Sequence, residues 1–308
     1  MTRPFRFGVQ GRTLGPRAEW LDSIRRTEAA GFDTYVVMDH FVRGLDPIAT
    51  LGAAAIATTT LRLGSMVVSN DFRHPVVLAK ALATVDVLSE GRLEIGIGAG
   101  WLREEYEWAG IPFDPPGTRI DRMVEAVGLM KRAFTEERMT FTGDHYRTQD
   151  LALVPKPVQR PHPPFVIGGG SRRILSVAAR EASIVNITTR ALPDGTKDAA
   201  DLTPERLETK LGWVRDAAGD RFGGIELASM VSDVIVTDDR DGKARDLAES
   251  LGVTPDDVLA SPHVLIGTPD QMADDLRQRR ERYGMTYFTV VEAHIEKLAP
   301  VVALLAGT

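Results

Sequence analysis

The sequence predicts a (β/α)₈ barrel. Short apolar, β-branched runs alternate with longer helical patterns along the whole chain, eight such runs are each followed by a helix, and small, polar and ionisable residues collect where the runs end. A length of 308 residues suits one barrel with loop excursions.

Each element follows from local signals. Phe5-Arg6-Phe7-Gly8-Val9 reads as the first strand, and Arg17 to Ala30 as a helix stopped at Gly31. Thr34 to Met38 is the second strand, followed by a small-residue helix from Asp46 to Thr58. Arg62 to Val68 is the third, with a helix from Pro75 to Ser89 that carries proline in its first turn. Leu93 to Ile97 and a helix from Arg119 to Phe134 complete the first half. The second half repeats the scheme: strand Phe165 to Ile167 and helix Arg172 to Glu181, then strand Ser183 to Ile187 and helix Pro204 to Ala218. Glu226 to Val236 carries the seventh strand, before helices at Gly242 to Leu251 and Pro269 to Tyr283. Tyr287 to Val291 is the eighth strand, and a last helix closes the chain. Residues 98–118, 139–164 and 188–203 exceed the minimal unit and read as excursions from a single domain, the second with β-like pieces and a proline-rich end; loops of this length tend to be functional or mobile.

Composition removes several classes of function. The chain has no cysteine, so thiol catalysis, disulfides and thiolate metal sites are excluded. Its six histidines are His40, His74, His145, His162, His263 and His294; no two share helical i, i+4 spacing, so no metal is expected. A net charge of −6 with interspersed signs argues against nucleic-acid and membrane-surface partners. No apolar run approaches the roughly 20 residues of a membrane span, and Met1 to Phe5 leads into a strand without a signal-like region. The expectation is a soluble, cytoplasmic protein acting on a small molecule.

In a barrel the chemistry gathers at the C-terminal ends of the strands. Those ends read Asp39-His40-Phe41, Met66 to Arg73, Gly98-Ala99-Gly100-Trp101, Gly168-Gly169-Gly170-Ser171, Asn186 to Arg190, Ser232-Asp233 and Glu292-Ala293-His294. An imidazole beside a carboxylate suits proton transfer near neutral pH, although Asp39 and His40 could equally end a strand and begin a loop. Gly168 to Ser171 ahead of a helix fits a phosphate cradle, with a capping serine and with Arg172 and Arg173 adding charge; a tight turn is the alternative. Gly96, Gly98 and Gly100 let the backbone approach a flat ring, but lack the helix and acid spacing of a dinucleotide fingerprint. Glu292 and His294 could touch substrate or serve structure alone. No Gly-x-Ser-x-Gly elbow occurs.

Several stretches, in order, resemble the luciferase-like family of flavin- and deazaflavin-dependent oxidoreductases: Glu28-Ala29-Ala30-Gly31-Phe32-Asp33 with Asp39-His40-Phe41, Leu63 to Val68 with Phe72-Arg73-His74-Pro75, Leu82 to Asp86, Gly91 to Leu93, Gly96 to Trp101 with Glu104-Glu105-Tyr106, Arg119 with Arg122 and Glu125, the Gly168 turn, and Ile266 to Pro269. The Asp-His-Phe triplet and the stretch to Tyr106 are most similar to members using coenzyme F420. The resemblance implies that Asp39 contacts the deazaflavin, that His40 lies beside its reactive face, and that Met66–Val67 is a non-prolyl cis peptide bulging behind the ring. It further implies that Ser69, Ala99 and Gly100 line ring and polyol, that Gly169, Gly170 and Ser171 take the phosphate, and that the protein is a homodimer through barrel helices. One departure stands out. Where the deazaflavin-dependent sugar-phosphate dehydrogenases carry a glutamate, this chain has Trp101, and their phosphate-clamping basic residues have no evident counterpart, which points to a more apolar substrate. The reading is hydride transfer between the deazaflavin C5 and a small organic substrate, with His40 handling the proton. An FMN-dependent monooxygenase is the alternative, and a catalytically silent binding protein a third possibility.

Overall fold

The computed structural model describes residues 3–190 and 198–308; part of the predicted 188–203 excursion lies outside them. In chain order the first half runs β1 (Arg6–Gln10), α1 (Arg17–Ala29), β2 (Thr34–Val37), α2 (Pro47–Ala57), β3 (Arg62–Ser65), β4 (Val68–Ser69), α3 (Pro75–Leu88), β5 (Leu93–Gly98), α4 (Arg103–Ala109), α5 (Pro116–Thr135), β6 (Met139–Thr142) and β7 (Arg147–Leu151). The second half runs β8 (Phe165–Gly169), α6 (Arg172–Glu181), β9 (Ile184–Ile187), α7 (Pro204–Ala218), β10 (Glu226–Val231), β11 (Asp233–Val236), α8 (Arg240–Leu251), α9 (Pro255–Ala260), β12 (Val264–Gly267), α10 (Pro269–Tyr283), β13 (Met285–Val291) and α11 (Ile295–Leu305).

Eight parallel strands close in the order β1-β2-β3-β5-β8-β9-β10-β13, with β13 returning to β1. Helices start where proline fills a first-turn position that needs no N–H, as in α2, α3, α5, α7 and α10. Asp46, Thr203 and Thr268 cap three of them by accepting from first-turn amides. One apolar core joins the strands to the surrounding helices.

The two ends of the barrel differ. At the N-terminal end, Arg6 pairs with Glu94 and with Glu226 (2.7 Å), Arg62 reaches Glu94 at 2.6 Å, and the Arg6 guanidinium lies 4.4 Å over the Tyr287 ring. This ion cluster plugs the bottom, so the opening lies at the other end. Near it, Glu28 accepts from the amides of Thr59, Thr60 and Leu61 at 3.0, 2.7 and 3.1 Å, fixing the turn into β3. Burial opposes its charge, but these donors outweigh burial and pull its carboxyl down to about 2 from 4.5. A lowered value means that the stabilisation is whole above 4.5 and fades as pH falls toward about 2. Glu28→Gln is therefore expected to lower Tm at neutral pH, with the gap to wild type closing across that acid window. A gap independent of pH in thermal melts contradicts this account.

Three stretches depart from the predicted elements, and a fourth, 139–164, folds as its β-like pieces and proline-rich end suggest. The third strand does not run to Val68: it ends at Ser65, the Met66–Val67 peptide is cis, and β4 resumes beside β5. The seventh strand ends at Val231, and β11 leaves the barrel to pair with β12 around a small cluster of Ala244, Ala248, Val258, Val264 and Ile266. Alternation shows that a run is a strand, not which partner it takes. The excursion after the fourth strand contains α4, ended by Gly110 at φ +68°, and the next helix begins at Pro116 rather than Arg119. The 139–164 excursion is the antiparallel hairpin β6–β7 followed by a proline-rich segment with cis bonds before Pro155 and Pro161. Among the described residues no helix is long and apolar enough to cross a membrane.

Candidate active site

A cavity of about 460 Å³ opens at the C-terminal ends of the strands. Asp39, His40, Met66, Val67, Ser69, Ala99, Gly100, Trp101, Gly168, Gly169, Gly170 and Ser171 all line it. These twelve residues thus reach one space, although they come from the ends of four barrel strands.

Asp39, nearly buried, uses Oδ2 to accept from the Ser69 amide at 2.9 Å and from Arg73 Nη1 at 2.5 Å. Arg73 is shared with Asp46 at 2.9 Å. The carboxylate therefore anchors the chain just after the Met66–Val67 bulge, and that oxygen is already committed.

The Ala99-Gly100 wall depends on its backing. Gly100 has φ +73°, and a Cβ there would lie 1.8 Å from the Tyr106 hydroxyl, so any side chain meets both strain and collision. The buried Arg119 guanidinium accounts for the carbonyls that this turn leaves inside: it donates to Asp114 O and Ala99 O, each at 2.9 Å, and to Gly100 O. Tyr106 is a neighbour of both Ser69 Oγ (3.3 Å) and Asp71 Oδ2 (3.2 Å), and Arg122 grips Asp71 through two bonds of 2.8 and 2.9 Å. Burial, reinforced by Asp71, pushes the Tyr106 hydroxyl up to about 12, so it stays protonated as a donor.

On the opposite side, the glycine turn leads into α6. Ser171 occupies the N-cap position but makes no capping bond, contrary to the expected cap, which leaves its hydroxyl to the cavity. First-turn amides of a helix lack intrahelical acceptors and favour an anion. Arg173 does not add free charge here, because it pairs with Asp121 at 2.6 Å.

The feature that sequence reasoning missed is the partner of His40. Its Nδ1 lies 2.7 Å from Glu105 Oε2, while Glu105 Oε1 accepts from the Phe41 amide at 3.1 Å. Glu105 is 2 % exposed. A carboxylate offers only acceptors, so the hydrogen between the two sits on Nδ1, and in the neutral imidazole Nε2 is the nitrogen left with a lone pair for proton exchange. Leu102, Glu105 and Tyr106 fall at i, i+3 and i+4, a helical phase that would have turned Glu105 inward while Glu104 and Glu107 face out. Trp101 stands edge-on to the His40 ring at a centroid distance of 6.0 Å. Asn186, a strand-end residue given no role by the sequence, lines the cavity, is 3 % exposed, and its Oδ1 has no hydrogen-bond partner among the described residues.

Other strand-end candidates fall elsewhere. Glu292 accepts from the amides of Arg12 (2.7 Å) and Thr13 (2.9 Å) and from the hydroxyls of Thr13 and Ser23, so it holds the loop after β1. His294 Nε2 faces Ser232 O at 3.2 Å, in an element that leaves the barrel. Neither lines the cavity.

Comparison with known proteins agrees with this architecture. Residues 1–248 match the family model described as luciferase-like monooxygenase. An F420-dependent glucose-6-phosphate dehydrogenase of Intrasporangium calvum is 40% identical over 167 residues, covering 51% of this chain and 49% of that protein. An FMNH₂-dependent dimethylsulfone monooxygenase of Pseudomonas putida is 31% identical over 200 residues, covering 58% of this chain and 55% of that protein. The chain thus spans about half the length of these curated relatives. The solved structure of a monooxygenase from Streptomyces bottropensis superimposes with a TM-score of 0.72 at 25% identity, over 97% of both chains. With the family model spanning most of the sequence and the ends of four barrel strands meeting in one cavity, the chain belongs to the luciferase-like monooxygenase family.

Proposed function

We propose that this protein is a coenzyme F420-dependent oxidoreductase that moves a hydride between the deazaflavin C5 and a small, largely apolar substrate. The observation that carries the reading is the His40–Glu105 pair in the same cavity as the Met66–Val67 bulge and the Gly168-to-Ser171 turn. The residues fit a tricycle with polyol and phosphate. The volume of about 460 Å³ accommodates a flat ring beside the bulge, the turn offers amides and a hydroxyl to a phosphate, and Asn186 Oδ1 awaits a donor. The deazaflavin, when bound, supplies the two-electron chemistry at C5.

The chain's own part is orientation and proton transfer. In the oxidative direction Nε2 of His40 takes the hydroxyl proton of an alcohol as the carbon gives up its hydride; in the reverse direction it returns that proton to a carbonyl. Trp101, Met66, Met230 and Ile174 give the cavity apolar walls. Among the described residues its lining cations are Arg119, occupied by carbonyls, and Arg190, paired with Asp198 at 2.7 Å. This argues against a phosphorylated sugar and for a neutral substrate. A homodimer through barrel helices is supported by Ile56 of α2 and Val77 of α3, which leave large apolar side chains exposed.

The P. putida relative supports FMN as a second reading. Parallel titration of the protein with F420 and FMN, followed by fluorescence quenching, separates the two. The expected result is saturable F420 binding at least about tenfold tighter than FMN binding. The reverse preference makes this an oxygen-using or flavin-reducing enzyme.

A further inference from the structure

Beyond the residues that touch the cavity, one buried ion pair has no role in the chemistry. Lys210 of α7 and Asp201 are 2 % and 4 % exposed, and Lys210 Nζ lies 2.7 Å from Asp201 Oδ2. The same amine donates to Thr188 O at 2.7 Å, and the same carboxylate oxygen accepts from the Arg190 amide at 2.6 Å. Two atoms of one pair therefore hold both ends of the Thr188-Thr189-Arg190 run, which lines the cavity beside the glycine turn. The run and the turn are in direct contact. The Thr188 amide donates to Gly169 O at 3.1 Å, and a Cβ on Gly170 would lie 2.6 Å from Arg190 N and 2.8 Å from Thr189 C.

We propose that Lys210 is a positioning residue which, through Asp201, fixes the Thr188–Arg190 backbone as the second wall of the phosphate-holding turn before any cofactor arrives. This rests on the reading that the Gly168-to-Ser171 turn takes the cofactor phosphate. The reason for an ion pair here is physical. Removing two charges from water gives little net stability, and an apolar pair would fill the space at least as well. What an apolar pair cannot do is accept an amide and donate to a carbonyl across one loop. Burial pulls the Lys210 amine down, and the hydrogen bond and charge of Asp201 oppose that. Lys210 and Asp201 offset one another, and Arg206, 3.5 Å from Asp201 Oδ1, keeps its charge in every variant, so a double variant that removes both buried charges reads where the amides are held and not a change of net charge.

The test compares the deazaflavin ribityl phosphate with the phosphate-free ribityl deazaflavin, in fluorescence titrations of the wild type, Lys210→Met and the charge-neutral double variant Lys210→Met/Asp201→Asn. The double variant leaves no lone buried charge and is the one expected to keep its fold. The wild type is expected to prefer the phosphorylated form, and the variants to lose at least about tenfold of that preference while affinity for the phosphate-free form changes less than about twofold. A uniform loss of stability would weaken both ligands alike. Variants that keep the wild-type preference overturn the inference and leave the phosphate reading standing; a wild type without any preference overturns both. Amide hydrogen exchange on the cofactor-free wild type gives an independent check. The Thr188 and Arg190 amides are expected to exchange slowly, and fast exchange at both rejects a preformed wall.

Discussion

Replacing His40 by alanine is expected to lower kcat by about 10²–10⁴-fold, the usual worth of a positioned general acid or base, while F420 affinity moves by less than about twofold. The side chain is only 17 % exposed, reaches the cavity, and is oriented by a bond to Glu105 at 2.7 Å. Neither the Gly168 turn nor the Arg119-backed Gly100 wall depends on it, which is why binding should survive. Steady-state kinetics and cofactor fluorescence read the two quantities separately. His40→Gln guards against collapse of the wall, since it keeps a side chain that can bond Glu105 but cannot cycle a proton. If both variants turn over at the wild-type rate, the imidazole has no part in the reaction.

The residues that make this argument were unequally visible in the sequence. Asp39-His40, the Gly98–Gly100 stretch and Gly168–Ser171 follow short strands, and in a barrel such positions converge because all eight strands point the same way. Their convergence was legible from element order alone. The strand that splits at Met66–Val67 was anticipated only through family resemblance, since no periodicity distinguishes a cis peptide. Arg119 was readable as a helical residue but not as the donor to Ala99 O and Gly100 O, because that bond depends on how α5 leans on the loop before it. Nothing in the sequence distinguishes Lys210 and Asp201 from the other charges along this polar helix and its approach. Only the packing of α7 against the barrel shows them to be buried. Glu292, conversely, had the right position at a strand end, and the structure spends it on the backbone of Arg12 and Thr13.

Glu105 offers the sharper test, because its two roles conflict in the amide. The carboxylate accepts from both His40 Nδ1 and the Phe41 amide, at 2.7 and 3.1 Å. A glutamine at this place has one acceptor and one donor group. With its oxygen on the Phe41 amide, its NH₂ faces Nδ1 and forces the imidazole hydrogen onto Nε2, the nitrogen that accepts the substrate proton in the proposed reaction. Replacing the orienting carboxylate of a catalytic histidine by its amide costs about 10⁴-fold in serine proteases for this reason. Glu105→Gln is accordingly expected to lower the alcohol-oxidising kcat by at least about 10²-fold with F420 affinity preserved. Glu105→Ala, which leaves the ring without a partner but imposes no tautomer, should be no worse for turnover even though it opens a void and lowers Tm more. A carboxylate that merely fills space predicts the opposite order, with the near-isosteric glutamine close to wild type and alanine the damaged variant. The ranking of the two variants in kcat, set beside their ranking in Tm, therefore decides whether Glu105 sets the proton position on His40 or only packs beneath it.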